Sequence, residues 1–446
     1  MMTLDMQKLA RSVLALAESM EQAIEVYAMS QKSLRVEVSD GEVETLREAQ
    51  QTGVGIRVID GGRLGLAFTT RVDPASLRET IGLAAANAKS ATADEHNVLP
   101  PPRPTQALDL LDPAMGAVNV DQKMDFAKAV EKAARQYDAR VTKVRQATYN
   151  DGIYQVGICN SRGVDIGYEG AYCAGGVMAV AEADGQAEMG WSYDFSRSFD
   201  KLDPAKIGQE AAVKAVEMLG ATSLETCRVP VLLTPEVATD FLEVLIPALT
   251  AEAVQKGKSL FAGKLGEVVG SKYLTLIDDG LLPQGLASAP VDDEGVPSKV
   301  TTVMVDGQLE TYLYNTYSAA RDGVDSTGNG MRSSFRGAVT TAPRNFYVQP
   351  GDTPLVDLMS GISRGLQITN VMGMHTANPI SGEFSVGASG LLIENGRVVR
   401  PVRGVAIAGN LIDFLQRVVA VGNDLRFFGS VGSPSLLVEG ITVSGE

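Results

Sequence analysis

Only two histidines occur in the chain, and their surroundings limit what chemistry it can carry. His96 stands in Asp94-Glu95-His96-Asn97, a polar, proline-flanked stretch that reads as solvated loop. His375, in Met374-His375-Thr376-Ala377-Asn378-Pro379, sits among turn residues, where it either lines a cleft or serves structure. No histidine pair stands at helical spacing and no Cys-x-x-Cys occurs. A zinc site built from His and Cys would therefore need both distant histidines to converge. Serine chemistry fares no better. Gly387-Ala388-Ser389-Gly390-Leu391 approaches a nucleophile elbow but lacks the final glycine, and strand-like runs flank it where a strand-to-helix turn is needed. Gly53-Val54-Gly55 has no third glycine at dinucleotide spacing, and no Walker-type phosphate loop is present. What remains are two polar glycine loops, Ser326-Thr327-Gly328-Asn329-Gly330-Met331-Arg332 and Ser381-Gly382-Glu383-Phe384-Ser385-Val386-Gly387. Their backbone donors, hydroxyls and charges suit an extended peptide, and they suit plain turns equally well. Ser326, Gly328, Asn329, Arg332, Gly382 and Glu383 are the candidate substrate-binding residues.

The elements that must position these loops can be read from periodicity. Met6, Leu9, Val13, Leu14 and Ala17 recur at helical spacing. Leu34, Val36 and Val38 alternate toward an Asp40-Gly41 turn, and a second hairpin turns at Asp60-Gly61-Gly62. Asp73-Pro74 starts a helix through Leu77, Ile81, Ala84 and Ala88, and Pro100-Pro101-Pro102-Arg103-Pro104 reads as a linker. A second segment opens with a helix around Met124–Tyr137. Four strands follow, punctuated at Asn150-Asp151-Gly152, Asn160-Ser161-Arg162-Gly163 and Ala183-Asp184-Gly185, and a helix near Pro204–Leu219 closes it. From about Val229 come one or two helices, then glycine-rich, strand-like sequence to the end. Segregated helices and strands imply an α+β protein: an N-terminal helix/hairpin domain (1–104), a central antiparallel meander (105–228) and a β-rich C-terminal domain (229–446) with a few helices.

Composition narrows the function. With 54 Asp and Glu against 39 Lys and Arg, the formal charge is −15, and no basic run offsets it, so nucleic-acid binding is disfavoured. The opening Met1-Met2-Thr3-Leu4-Asp5-Met6 has no basic or apolar leader pattern, and no apolar run is long enough to span a bilayer; no membrane role is expected. Cys159, Cys173 and Cys227 are widely spaced and read as core thiols of a reducing compartment.

Several strings resemble the TldD/PmbA peptidase family. Toward the end these are Gly382-Glu383-Phe384-Ser385-Val386, Gly390-Leu391-Leu392-Ile393-Glu394-Asn395-Gly396, Pro401-Val402-Arg403-Gly404, Ala408-Gly409-Asn410 and Val421-Gly422-Asn423-Asp424. The closing Gly432-Ser433-Pro434-Ser435-Leu436-Leu437-Val438 belongs with them. Near the start, Gly41-Glu42-Val43-Glu44 and Gly53-Val54-Gly55-Ile56-Arg57-Val58 match the family's opening hairpins, and Ser326–Gly330 is similar to the PmbA (TldE) branch.

The resemblance implies cytoplasmic dimeric metallopeptidases in which TldD pairs with a PmbA/TldE subunit around a cavity. Such enzymes trim modified peptides or degrade unfolded ones. The TldD branch carries His-Glu-x-x-x-His on a helix, plus a C-terminal cysteine, to activate a zinc-bound water. Laid on this sequence, the motif falls on Pro235, Glu236, Val237, Ala238, Thr239 and Asp240, and the cysteine falls near Ala420. Both histidines and the thiol are absent here. The resemblance therefore implies a non-catalytic subunit with no zinc of its own. Its expected partners are a zinc-bearing TldD-type homologue, or itself as a homodimer, and an unfolded peptide. Two other readings compete: an independent hydrolase with an atypical site from Glu236, Asp240, His375 and Glu383, and a regulatory protein that binds a folded partner. Chelator-sensitive cleavage by the chain alone marks the first, and a stable complex without any TldD-type chain marks the second.

Overall fold

The computed structural model describes residues 4–445; Met1–Thr3 and Glu446, at the ends of the sequence, lie outside the described residues. Asp5 caps helix α1 (Met6–Leu16), accepting from the Lys8 amide, and Met6, Leu9, Ala10 and Val13 face the core. Strands β1 (Ala23–Ser39), β2 (Glu42–Asp60) and β3 (Arg63–Thr69) follow, then α2 (Pro74–Ser90), capped by Asp73. The two hairpins read from sequence thus share one long strand, β2. At its second turn Gly61 and Gly62 adopt φ of 56° and 77°, as a two-residue hairpin with this twist requires. Next come α3 (Val120–Tyr137), with an Asn119/Gln122 capping box, then β4 (Val141–Asn160), β5 (Asp165–Ala183), β6 (Gln186–Ser196) and α4 (Pro204–Glu217).

Where four strands were expected, three form, because Asn150-Asp151-Gly152 continues β4 in place of a turn. Gly152 lies opposite Ser33 and Tyr172, and a Cβ there would meet the Tyr172 ring at 2.6 Å. Asp151 accepts from Tyr149 and pairs with Lys123 at 2.5 Å. Long-range pairing overrides a local turn signal. The six strands form a single antiparallel sheet in the order β3-β2-β1-β4-β5-β6. Helices α1 and α2 cover one core (Val26, Val54, Ile81) and α3 and α4 another (Val130, Tyr149, Ile207). The strands on either side of the Pro100–Pro104 run are therefore hydrogen-bonded neighbours through the β1–β4 register.

The rest of the chain builds two further six-stranded sheets. Strand β7 (Cys227–Leu233) leads into α5 (Pro235–Leu245), then α6 (Ala251–Gln255), β8 (Leu276–Asp279), β9 (Val300–Val305), β10 (Gln308–Leu309) and α7 (Thr316–Asp322). Short strands β11 (Gly330–Met331), β12 (Thr340–Thr341) and β13 (Phe346–Val348) and helix α8 (Leu355–Ser360) precede β14 (Arg364–Met372), β15 (Glu383–Glu394) and β16 (Arg397–Asn410). The chain closes with α9 (Leu411–Gln416), β17 (Val418–Val421), β18 (Arg426–Phe428), β19 (Val431–Ser433) and β20 (Leu436–Ser444). One sheet runs β16-β15-β14-β7-β20-β17 and the other β10-β9-β8-β13-β19-β18. Val231 and Leu233 of β7 pack with Phe241 of α5 and Phe384 and Phe414 in the largest core. The class is α+β.

A buried joint connects the first sheet to the C-terminal region. Tyr27, Val156, Ile158 and Val164 meet Val291 and Phe335. Gly53 and Gly55 make room for the latter: a Cβ would stand 2.3 Å from the Phe335 ring at one position and 2.2 Å from its carbonyl oxygen at the other. Arg57 bridges Glu25 (2.6 Å) and Glu294 (2.8 Å), and Glu25 also pairs with Arg332. Buried carboxylates of Glu25, Asp278, Asp292, Asp293 and Glu294 outnumber the guanidiniums of Arg57, Arg332 and Arg344. Burial accordingly pushes Asp278 up to about 7 and raises Asp292 as well.

Candidate functional site

The positions on which the family resemblance lays the zinc motif, Pro235 to Asp240, open α5. Thr234 takes the N-cap conformation (φ −67°, ψ 159°) with Pro235 at the first turn, yet its hydroxyl makes no capping bond and is buried without a partner among the described residues. The helix start is therefore set by Pro235 and by the Ala238 amide donating to the Thr234 carbonyl at 2.9 Å. The Glu236 carboxylate pairs with Lys214 of α4 at 2.5 Å, and the Lys214 ammonium lies 5.2 Å from the centre of the Trp191 ring. One turn on, burial, with the charges of Glu236 and Glu243 adding to it, pushes the Asp240 carboxyl up to about 7.

These groups adjoin a cleft of about 80 Å³ between α4 and β6 on one side and α5, β14 and β15 on the other. It is lined among others by Trp191, Lys214, Glu217, Glu236, Asn370 and Ser389. Lys214 and Trp191 were not legible as site residues. They lie in an ordinary amphipathic helix and an ordinary strand, outside any motif.

A zinc ion does not fit this donor set. Pro235 offers no side-chain donor atom, Glu236 is held by an ammonium, and Asp240 supplies a single carboxyl group whose ionisation burial delays to about pH 7. Ala420 packs with Leu232 and Leu437 on the face of the sheet opposite Val231, Leu233 and α5, so a side chain there points away from the helix. Among the described residues no three His, Cys, Asp or Glu side chains are grouped to hold a metal. His96 is half-buried in its loop and His375 is exposed in a short 3-10 turn.

The two glycine loops have different neighbours. Ser326 is half-exposed, its hydroxyl donating to the Tyr314 carbonyl. Gly328 is buried at φ +78°, and a Cβ would stand 2.8 Å from the Pro297 carbonyl. The Asn329 amide donates to Asp278 (2.7 Å) and to the Ala342 carbonyl (3.0 Å), fully buried. Arg332 belongs to the joint, its side chain 3% exposed, paired with Glu25 and lying over Tyr27. So Asn329 and Arg332 face the interior, where charge pairing holds the joint, while Ser326 lines a surface pocket. In the other loop Gly382 is buried at φ +79° beside Asn410, whose amide donates to the Ser381 carbonyl at 2.9 Å, while Ser381 and Glu383 are exposed. The elbow-like Gly387–Leu391 run lies inside β15, where Gly390 admits the Gln367 carbonyl of β14; a Cβ would meet it at 1.9 Å. Burial pushes the Cys159 and Cys173 thiols up to about 12, which leaves both inert.

A long antiparallel sheet is thus joined to a two-sheet C-terminal region, with a helix at the end of β7. The sequence matches the PmbA/TldA metallopeptidase domain 1 over residues 24–88, the central domain over 115–219 and the C-terminal domain over 226–445, so the chain belongs to the PmbA/TldD family. It is 28% identical over 450 residues to the metalloprotease PmbA of Escherichia coli O157:H7, covering 99% of this chain and 96% of that one. It is also 27% identical to a metalloprotease TldD homologue of Haemophilus influenzae, over 88% and 86% of the two chains. The crystal structure of TldE from Thermococcus kodakarensis superposes with a TM-score of 0.90 at 26% identity, over 99% of this chain and 100% of that one. A Thermotoga maritima protein, described as a candidate modulator of DNA gyrase, superposes with a TM-score of 0.91 at 30% identity, over 98% and 100%. Among the described residues no helix is long and apolar enough to cross a membrane.

Proposed function

We propose that this chain is the non-catalytic, PmbA/TldE-type subunit of a cytoplasmic metallopeptidase complex acting on unfolded or modified peptides, with zinc and general base supplied by a TldD-type partner. One observation supports the reading: at the positions the resemblance assigns to the zinc motif stand Pro235, Asp240 and a Glu236 paired with Lys214. A metal-dependent base must face a metal-bound water; Glu236 faces an ammonium. What this subunit contributes is walls and peptide contacts, with the exposed Ser381 and Glu383 and the rim residue Ser326 as the contact candidates.

The test is kinetic. Glu236→Gln in this chain, assembled with a TldD-type homologue, leaves peptide turnover within about twofold of the parent, whereas the equivalent change in the partner abolishes it. Loss of turnover in a well-folded complex carrying only the change at Glu236 would place bond-breaking in this chain.

A further inference from the structure

At one end of the C-terminal sheet two arginines converge on one backbone carbonyl. Arg228 lies on β7, and Arg417 follows the last turn of α9. Arg228 Nε donates to the Gly440 carbonyl at 3.0 Å, and Arg417 Nη1 donates to the same oxygen at 3.2 Å. Sharing one acceptor holds the two donor nitrogens within about 6 Å of each other. Neither guanidinium has a carboxylate within ion-pair distance among the described residues, in a chain where acids outnumber bases 54 to 39. Asp413, on the same pocket wall, reaches neither of them.

The backbone is shaped to allow this. Strand β20 shifts register between Val438 and Ile441, and Gly440 adopts φ +65° within that irregularity. A Cβ at 440 would stand 3.0 Å from Arg417 Nη1 and 3.3 Å from Arg228 Nη2, so glycine both turns its carbonyl toward the arginines and leaves them space. The pocket they line is about 270 Å³, with Asn410, Gly409 and Thr442 on its walls. Each guanidinium spends one N–H on Gly440, leaving donors for a second acceptor, and the fork geometry matches oxyanions.

We propose that Arg228 and Arg417 form a binding site for an oxyanion, a carboxylate or a phosphate, held between the two guanidiniums. The site stands on this geometry alone and does not depend on the proposed function. Through Asn410 it adjoins the Ser381–Glu383 loop, which places a bound anion beside the exposed end of β15.

The test is calorimetric titration of the full-length protein in low-salt, phosphate-free buffer with inorganic phosphate, with N-acetyl-dialanine and with its C-terminal amide. Saturable one-to-one binding of at least one oxyanion, and none of the amide, is expected. Phosphate alone assigns a phosphoryl ligand, and the free acid alone assigns a carboxylate. Arg228→Gln and Arg417→Gln each weaken binding tenfold or more, while Arg321→Gln, on α7, leaves it unchanged. Should either glutamine variant misfold, phenylglyoxal labelling of the parent gives the answer, because the bound anion protects both arginines from modification. Binding of neither anion, undiminished binding by the glutamine variants, or equal labelling with and without anion overturns the site.

Discussion

Lys214 decides the character of the cleft at α5. Its ammonium supplies the positive charge next to Glu236, and the Trp191 face holds it there. Removing it leaves Glu236 mostly buried opposite Asp240 with no cation. Lys214→Met is therefore expected to cost about 1 kcal/mol in urea denaturation, discounted because the lysine is one-third exposed. The loss should be larger at pH 8.5 than at pH 5.5, since Asp240 becomes charged as pH rises through about 7 and then repels an unpaired neighbour. An equal loss at both pH values would detach Asp240 from this ion pair. Sequence showed that imidazoles were missing at 235 and 240, but it gave no sign that a lysine 22 residues upstream of Glu236 stands in the cleft. That proximity arises where α4 and the start of α5 line the same cleft, a tertiary fact with no local pattern.

The elements were legible wherever chemistry is local. Asp73-Pro74 starts α2, Asn119 and Gln122 box the start of α3, and Asp60-Gly61-Gly62 turns the hairpin where expected. Asn150-Asp151-Gly152 misleads because its glycine answers to the Tyr172 ring across the strand pair and not to a positive φ. The Gly53/Gly55 pair, which fails as a nucleotide motif, has the same kind of cause: β2 must let Phe335 approach. Gly55→Val should destabilise the protein by roughly 2 kcal/mol or more, as overpacking against a fixed backbone does. An unchanged denaturation midpoint would show that the joint is looser than these contacts require. The Ser326–Arg332 loop teaches the converse. Polar residues beside glycines resembled a binding surface, yet Asn329 and Arg332 hold the joint from inside. Burial is the one property a loop's composition does not reveal.

At the scale of the molecule, the joint makes stability depend on pH. Asp278 and Asp292 are raised above their unfolded values, so their contribution is full in acid and is lost as pH rises through the folded values. The melting temperature should therefore fall by several degrees between pH 5 and pH 8 and level off above that, and Asp278→Asn should flatten the slope. A flat profile in the parent would mean the joint admits water or a counter-ion. The larger question is whether this chain breaks bonds itself, and zinc content answers it most directly. The chain is purified alone without chelator, equilibrated with zinc, dialysed and measured by elemental analysis, and the measurement is repeated in complex with a TldD-type partner. The expected result is less than about 0.1 zinc per chain alone and one zinc per heterodimer. One tightly held zinc per chain in the isolated protein would contradict the assignment of a silent subunit.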